Sequence, residues 1–241
     1  MNQKTNGIVS RRRFLQGTAG IGGGVVAASF AGAFGLGLAE AAAANDEPQT
    51  ILNLAATAEA LAVTFYYSAI TGAQFEVDPA DLVYLKLAMD AEKYHYDFLT
   101  SAGGKALTNQ FFVPANVLSD VDVFVKTGLA AETAFVAAYL AATRRFAEAG
   151  QGKLAATTAQ HAASEAVHLA LIRDIAGLVP NDLAVPAAIY YNVSDAVPTL
   201  APFLKGGAGF IGPVKMPSND QFNAALDGLK AGHPPMYVSI Y

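Results

Sequence analysis

Glu92-Lys93-Tyr94-His95 and Glu165-Ala166-Val167-His168 repeat one short pattern, Glu-x-x-His, at a separation of 73 positions. Each sits mid-way along a segment whose apolar residues recur at three- and four-residue spacing, so each is read as helical. At i, i+3 a carboxylate and an imidazole point to the same helix face. The same offset of 73 carries Glu59 onto Glu132 and Tyr66 onto Tyr139. The halves are otherwise weakly alike, but this register is that of a duplicated helical hairpin, with two half-sites about one pseudo-axis.

Four helices are expected around these residues. The first covers residues 48–71 and stops at Gly72. The second takes Asp78 as cap and Pro79 at its first position, and ends before Gly103-Gly104. Ser119 with Asp122 reads as a capping box for the third, which ends at Gly150. The fourth covers residues 153–176 and stops at Gly177. Each is ~24–31 residues, or roughly 36–46 Å. Short turns make the pairs 1–2 and 3–4 antiparallel, whereas residues 102–118 can stretch over ~55 Å and return along a whole helix. The expected fold is all-α: a four-helix bundle (residues 45–177) with one long crossover.

From residue 178 to 241 eight prolines break any long helix, and only residues 219–231 look helical again. Ile189, Tyr190, Tyr191, Phe203, Phe210, Ile211, Phe222 and Tyr237 make this Pro/Gly-rich extension too apolar for a free tail. It is expected to be irregular and to pack on the bundle or on a second subunit, so a homo-oligomer stays open.

All four helices thus offer oxygen or nitrogen donors at one depth: Glu59, Glu92 with His95, Glu132, and Glu165 with His168. One glutamate from each of two helices plus Glu-x-x-His from each of the other two is how helical bundles hold two iron or two manganese ions. These six residues use half of the eight glutamates and two of the four histidines. Four carboxylates buried together repel one another unless countered, and two divalent cations would balance them. Oxygen-rich ligation with a little nitrogen suits iron or manganese. The plainer alternative, hydrogen-bonded carboxylates on apolar helices, would leave each needing a partner. His161, one turn before Glu165, reads as a core histidine or as a donor to the ligands. Tyr66 and Tyr139, each seven residues after a candidate ligand, fill the core, hydrogen-bond to ligands or carry an oxidising equivalent. Tyr94 is expected to face a neighbouring helix, and His233 has no evident partner.

The composition narrows the field. Hydrophobic residues make up 53% of the 241 and charged residues 15%, too apolar for a disordered chain. Cysteine is absent, which excludes disulfide scaffolds, thiolate metal sites and thiol catalysis. The net charge is −5, with no basic stripe beyond the first fifteen residues, so no nucleic-acid partner is expected. The N-terminus reads as an address. Ser10-Arg11-Arg12-Arg13-Phe14-Leu15 precedes an uncharged, glycine-diluted stretch and the run Ala41-Ala42-Ala43-Ala44. Its order resembles a twin-arginine export signal (residues 1–44), which delivers folded proteins to the periplasm or the cell exterior. The stretch could instead stay as an anchor, being long enough to span ~30 Å. With cleavage near Asn45 the remaining charge is about −8 and no membrane contact is expected.

On Glu59, Glu92-x-x-His95, Glu132 and Glu165-x-x-His168, residues 48–177 resemble exported ferritin-like domain proteins, including those called desiccation-related proteins. The resemblance implies the ferritin-like fold, a dinuclear iron or manganese centre, and links to oxidative or drying stress. Rubrerythrin-type peroxidases share the ligand pattern but add a cysteine-ligated iron module that a chain without cysteine lacks. Three functions follow as expectations. One is a di-metal oxidoreductase acting on a small oxidant, O2 or peroxide, with Glu92 and Glu165 as bridges, His95 and His168 as terminal ligands, and Glu59 and Glu132 terminal or bridging. The second is a non-catalytic stress protein whose metals staple the bundle. The third is iron storage, which the long extension disfavours.

Overall fold

The computed structural model describes residues 45–240, and the export signal read at residues 1–44 lies outside them. Four long helices dominate: α1 (Pro48–Gly72), α2 (Pro79–Ser101), α3 (Val121–Glu148) and α4 (Gly152–Ile175). α1 packs on α2 and α3 on α4, while α2 also meets α4 and α1 meets α3, closing the ring of a four-helix bundle. Gln49 near the start of α1 donates to the Gly103 carbonyl just past α2, as an antiparallel pair requires. At the other hairpin, Gly128 near the start of α3 lies so close to Ile172 near the end of α4 that a Cβ would meet it at 3.2 Å.

Local chemistry sets the helix ends. Asp78 accepts from the Ala80 amide at 2.8 Å, with Pro79 in the first turn, where its missing N–H costs nothing. Gly150 and Gly177 take φ of 70° and 68° and let Gln151 and Leu178 donate back to Phe146 and Arg173, ending α3 and α4. The cap of α3 is displaced by one residue from the expected Ser119. Asp120 fills it, its Oδ1 accepting from Asp122 at 2.9 Å and Val123 at 3.3 Å, while the amides of Ser119 and Asp120 both donate to the Asn116 carbonyl in the turn before it. α3 is long and apolar enough to cross a membrane, but that apolarity lines the bundle through Phe124, Phe135, Tyr139 and Phe146.

The extension is more regular than expected. A 3-10 turn (Val193–Ala196), α5 (Val197–Lys205), α6 (Asn219–Leu226) and α7 (Tyr237–Ile240) follow the bundle. Prolines do not prevent this: Pro198 sits in the first turn of α5, Pro202 lies inside that helix but within one turn of its end, and the other elements are short. β2 (Phe210–Lys215) pairs antiparallel with β1 (Gln110–Pro114), a strand inside the crossover, in the register Gln110 to Lys215 and Pro114 to Phe210.

Apolar side chains of the extension complete the core. Phe222 and Leu226 join Tyr66, Met89 and Phe124 at one end of the bundle, Leu200 and Phe203 join Leu61 and Phe135, and Val193 joins Ile51 and Phe146 at the far end. Ile189, Tyr191, Ile211 and Tyr237 stay exposed. Tyr94 does not face a neighbouring helix. Its hydroxyl donates to the Pro234 carbonyl at 2.7 Å, and its ring stacks on His233 at 4.4 Å. His233 in turn meets Asp90 of α2 at 2.9 Å, so the partner it lacked in sequence comes from the bundle.

Candidate metal centre

The four facing helices bring six acidic and imidazole side chains together mid-way along the bundle. Glu59 comes from α1, Glu92 and His95 from α2, Glu132 from α3, and Glu165 and His168 from α4. All six are buried, between 0 and 5% exposed. His95 Nδ1 lies 3.1 Å from Glu165, 3.4 Å from Glu92 and 3.6 Å from Glu59. His168 Nδ1 lies 2.8 Å from Glu92 and 3.1 Å from Glu165.

The six form two overlapping groups. Donor atoms of Glu59, Glu92, His95 and Glu165 lie within 4.8 Å of one another, and so do those of Glu92, Glu132, Glu165 and His168. Glu92 and Glu165 belong to both. The internal offset of 73 exchanges the groups, which is the pseudo-symmetry read in the sequence.

Tyrosines fasten the outer carboxylates crosswise. Tyr66 on α1 donates to Glu132 on α3, and Tyr139 on α3 donates to Glu59 on α1. Of the roles open to these tyrosines, the structure shows the donor to a carboxylate. It is given to the glutamate of the opposite half, which spacing along one helix does not reveal. His161 is buried beside His95 and makes no hydrogen bond among the described residues.

The electrostatics are those of crowded carboxylates. Burial, reinforced by Glu165 and Glu92, pushes the Glu59 carboxyl well above its ordinary value, and burial with Glu92 does the same to Glu132. Burial also opposes charge on Glu92, but the adjacent His168 holds it well below the usual range. His95 and His168 resist charging through burial, yet Glu59 and Glu92 respectively raise them well above an ordinary imidazole. Burial, then His95, lowers His161. Burial and the carboxylates raise both Tyr66 and Tyr139, so both phenols stay protonated donors.

The donor set fits a metal. Glu59 Oε2, both oxygens of Glu92, Glu132 Oε2, Glu165 Oε1 and His95 Nδ1 are buried and make no well-aligned hydrogen bond among the described residues, several of them meeting only in the carboxylate–imidazole contacts above. Leaving so many polar atoms unsatisfied is strongly unfavourable, and a shared cation is the partner they have in common. Residues 48–178 match the family of the ferritin-like domain. The chain belongs to the ferritin-like family. Neither the curated proteins nor the solved structures compared with the chain gave a match. Within the family's domain lie all six donors, both tyrosines and His161. The extension from 179 onward falls outside it.

Proposed function

We propose that this ferritin-like protein holds two iron or two manganese ions and acts as an extracytoplasmic oxidoreductase on O2 or peroxide. The observation that carries the reading is the pair of overlapping donor groups sharing Glu92 and Glu165. In it Glu92 and Glu165, which belong to both groups, would help to hold both ions, His95 and His168 would each offer a nitrogen donor to one, and Glu59 and Glu132 would complete one group each. Two such ions would supply electron transfer to a bound oxidant.

The chain's own residues set the terms. Tyr66 and Tyr139 orient Glu132 and Glu59, so the outer carboxylates meet an ion already aimed. Two small, mostly carbon-lined cavities lie between α1 and α3, one walled by Ala55, Ala58, Ala138 and Tyr139 with Val193 and Leu200 of the extension, the other by Ala62, Ala131, Tyr66 and Glu132. Such walls favour a small uncharged reactant over an ionic one. The signal beginning at Ser10-Arg11-Arg12-Arg13 supports export by the twin-arginine route, so that folding and metal loading would precede delivery to the periplasm or cell surface. A role in oxidative or desiccation stress accords with that placement.

Near-complete burial of the six donors favours a second reading, in which the metals only staple the helices. Elemental analysis of protein exported by its own signal, paired with assays of peroxide and ferrous-ion consumption, separates the two. Two metals with turnover support the oxidoreductase. Two metals without turnover leave the staple. Iron storage would need a hollow assembly, which light scattering would show.

A further inference from the structure

A third imidazole stands just outside the two donor groups. His161 lies on α4 one turn before Glu165, is 1% exposed, and has no hydrogen-bond partner at either ring nitrogen among the described residues. Its ring meets that of His95 edge-on, centroids 4.5 Å apart at 68°. It also lies 4.9 Å from the ring of Tyr139, the tyrosine that holds Glu59. Both contacts belong to the half of the cluster built around His95.

The internal repeat shows that this is a departure. Every other donor, and each tyrosine, has a counterpart 73 positions away, but 73 positions before His161 stands Ala88. Ala88 is packed with Met89 and Tyr66 in an apolar cluster. A buried imidazole with both nitrogens unsatisfied is unfavourable where the other half manages with a methyl group. It needs a partner, and a cation beside His95 is the nearest chemistry that provides one. Neutral imidazole is the commonest protein ligand for such an ion.

We propose that His161 supplies a third imidazole to the position formed by Glu59, Glu92, His95 and Glu165, making the two metal positions chemically unequal. This rests on the dinuclear reading above. The His95 position then has two nitrogen donors and the His168 position one. Extra nitrogen favours iron, cobalt or zinc over manganese. The position beside His95 is thereby the tighter of the two for an ion that prefers nitrogen.

The full chain loaded with cobalt(II) tests this by X-ray absorption, which counts imidazoles per metal, and by titration. Three imidazoles shared between two cobalt ions are expected, with two binding steps separated by about tenfold or more. His161→Phe, which keeps the ring bulk and removes the nitrogens, should leave two imidazoles and bring the two steps closer together. Two cobalt ions with only two imidazoles in the unaltered chain would overturn the proposal and leave the dinuclear reading standing. Failure of the unaltered chain to bind two ions would overturn both. The unaltered chain alone decides, whatever the variant's folding.

Discussion

The Tyr139 hydroxyl on α3 donates to the carboxylate of Glu59 on α1, tying two helices of different hairpins through one candidate ligand. Tyr66 and Glu132 repeat the link in reverse, so each hairpin orients the outer carboxylate of the other. Donors behind metal ligands commonly set affinity by 10- to 100-fold.

Tyr139→Phe keeps the ring packing and deletes the donor. Metal affinity at the His95 position is expected to fall by about tenfold or more, with the fold intact. Competition with a chelator, alongside circular dichroism, measures both. Unchanged affinity would mean the hydroxyl only fills space.

The shared carboxylates should behave differently from the outer ones. Glu92→Ala and Glu165→Ala each remove a donor from both groups, so both metals are expected to be lost. Glu132→Ala removes one from a single group and should leave about one metal per chain. Retention of two metals by Glu92→Ala would contradict the bridging assignment.

Stability should depend on pH with opposite slopes for chelated and loaded protein. In the chelated chain the raised pKa values of His95 and His168 contribute stability that is complete below an ordinary imidazole pKa and is lost as pH rises through the higher folded values. The raised Glu59 and Glu132 act with the same sign from the ordinary carboxyl range upward, while the lowered Glu92 opposes them only at the acid end. Metal binding needs deprotonated ligands, so the loaded protein instead gains stability as pH rises. Melting curves over roughly pH 5 to 9 should show the two slopes, and parallel slopes would exclude proton–metal competition at this site.

Chelation itself should be costly. If the free metal exceeds its dissociation constant about 1,000-fold, binding contributes about 4 kcal/mol, or on the order of 10 °C in melting temperature for a chain of this size. Calorimetry with and without chelator reads this directly.

The extension should prove to be part of the core. Phe222→Ala, at a side chain packed with Tyr66 and Phe124, is expected to destabilise the bundle by about 3 kcal/mol. A change below about 0.5 kcal/mol in denaturant titration would mean that the extension is merely draped over the helices.

Much of the site was legible because it repeats. Two Glu-x-x-His pairs and two matching glutamates in one register fix which faces meet, and periodicity with Gly and Pro punctuation fixes the four helices. What was hidden depends on contacts between distant positions. No local pattern tells Tyr94 to pair with Pro234, 140 residues on, or Tyr66 to serve Glu132 instead of its own half. The α3 cap was missed for a local reason: Ser119 and Asp120 are adjacent and both good caps, and it is the Asp120 carboxylate that meets the amides of Asp122 and Val123.

The pairing of β1 with β2 gives the chain a problem in time. Gln110–Pro114 leaves the ribosome about 100 residues ahead of its partner Phe210–Lys215, a delay of roughly 5–20 s at ordinary elongation rates. During that interval the helical hairpins can form, but a strand carrying Phe111, Phe112 and Val113 has an open edge. A nascent chain of this protein therefore has most need of a chaperone late in synthesis, after its four long helices exist and before its last segment arrives to cover the edge of β1.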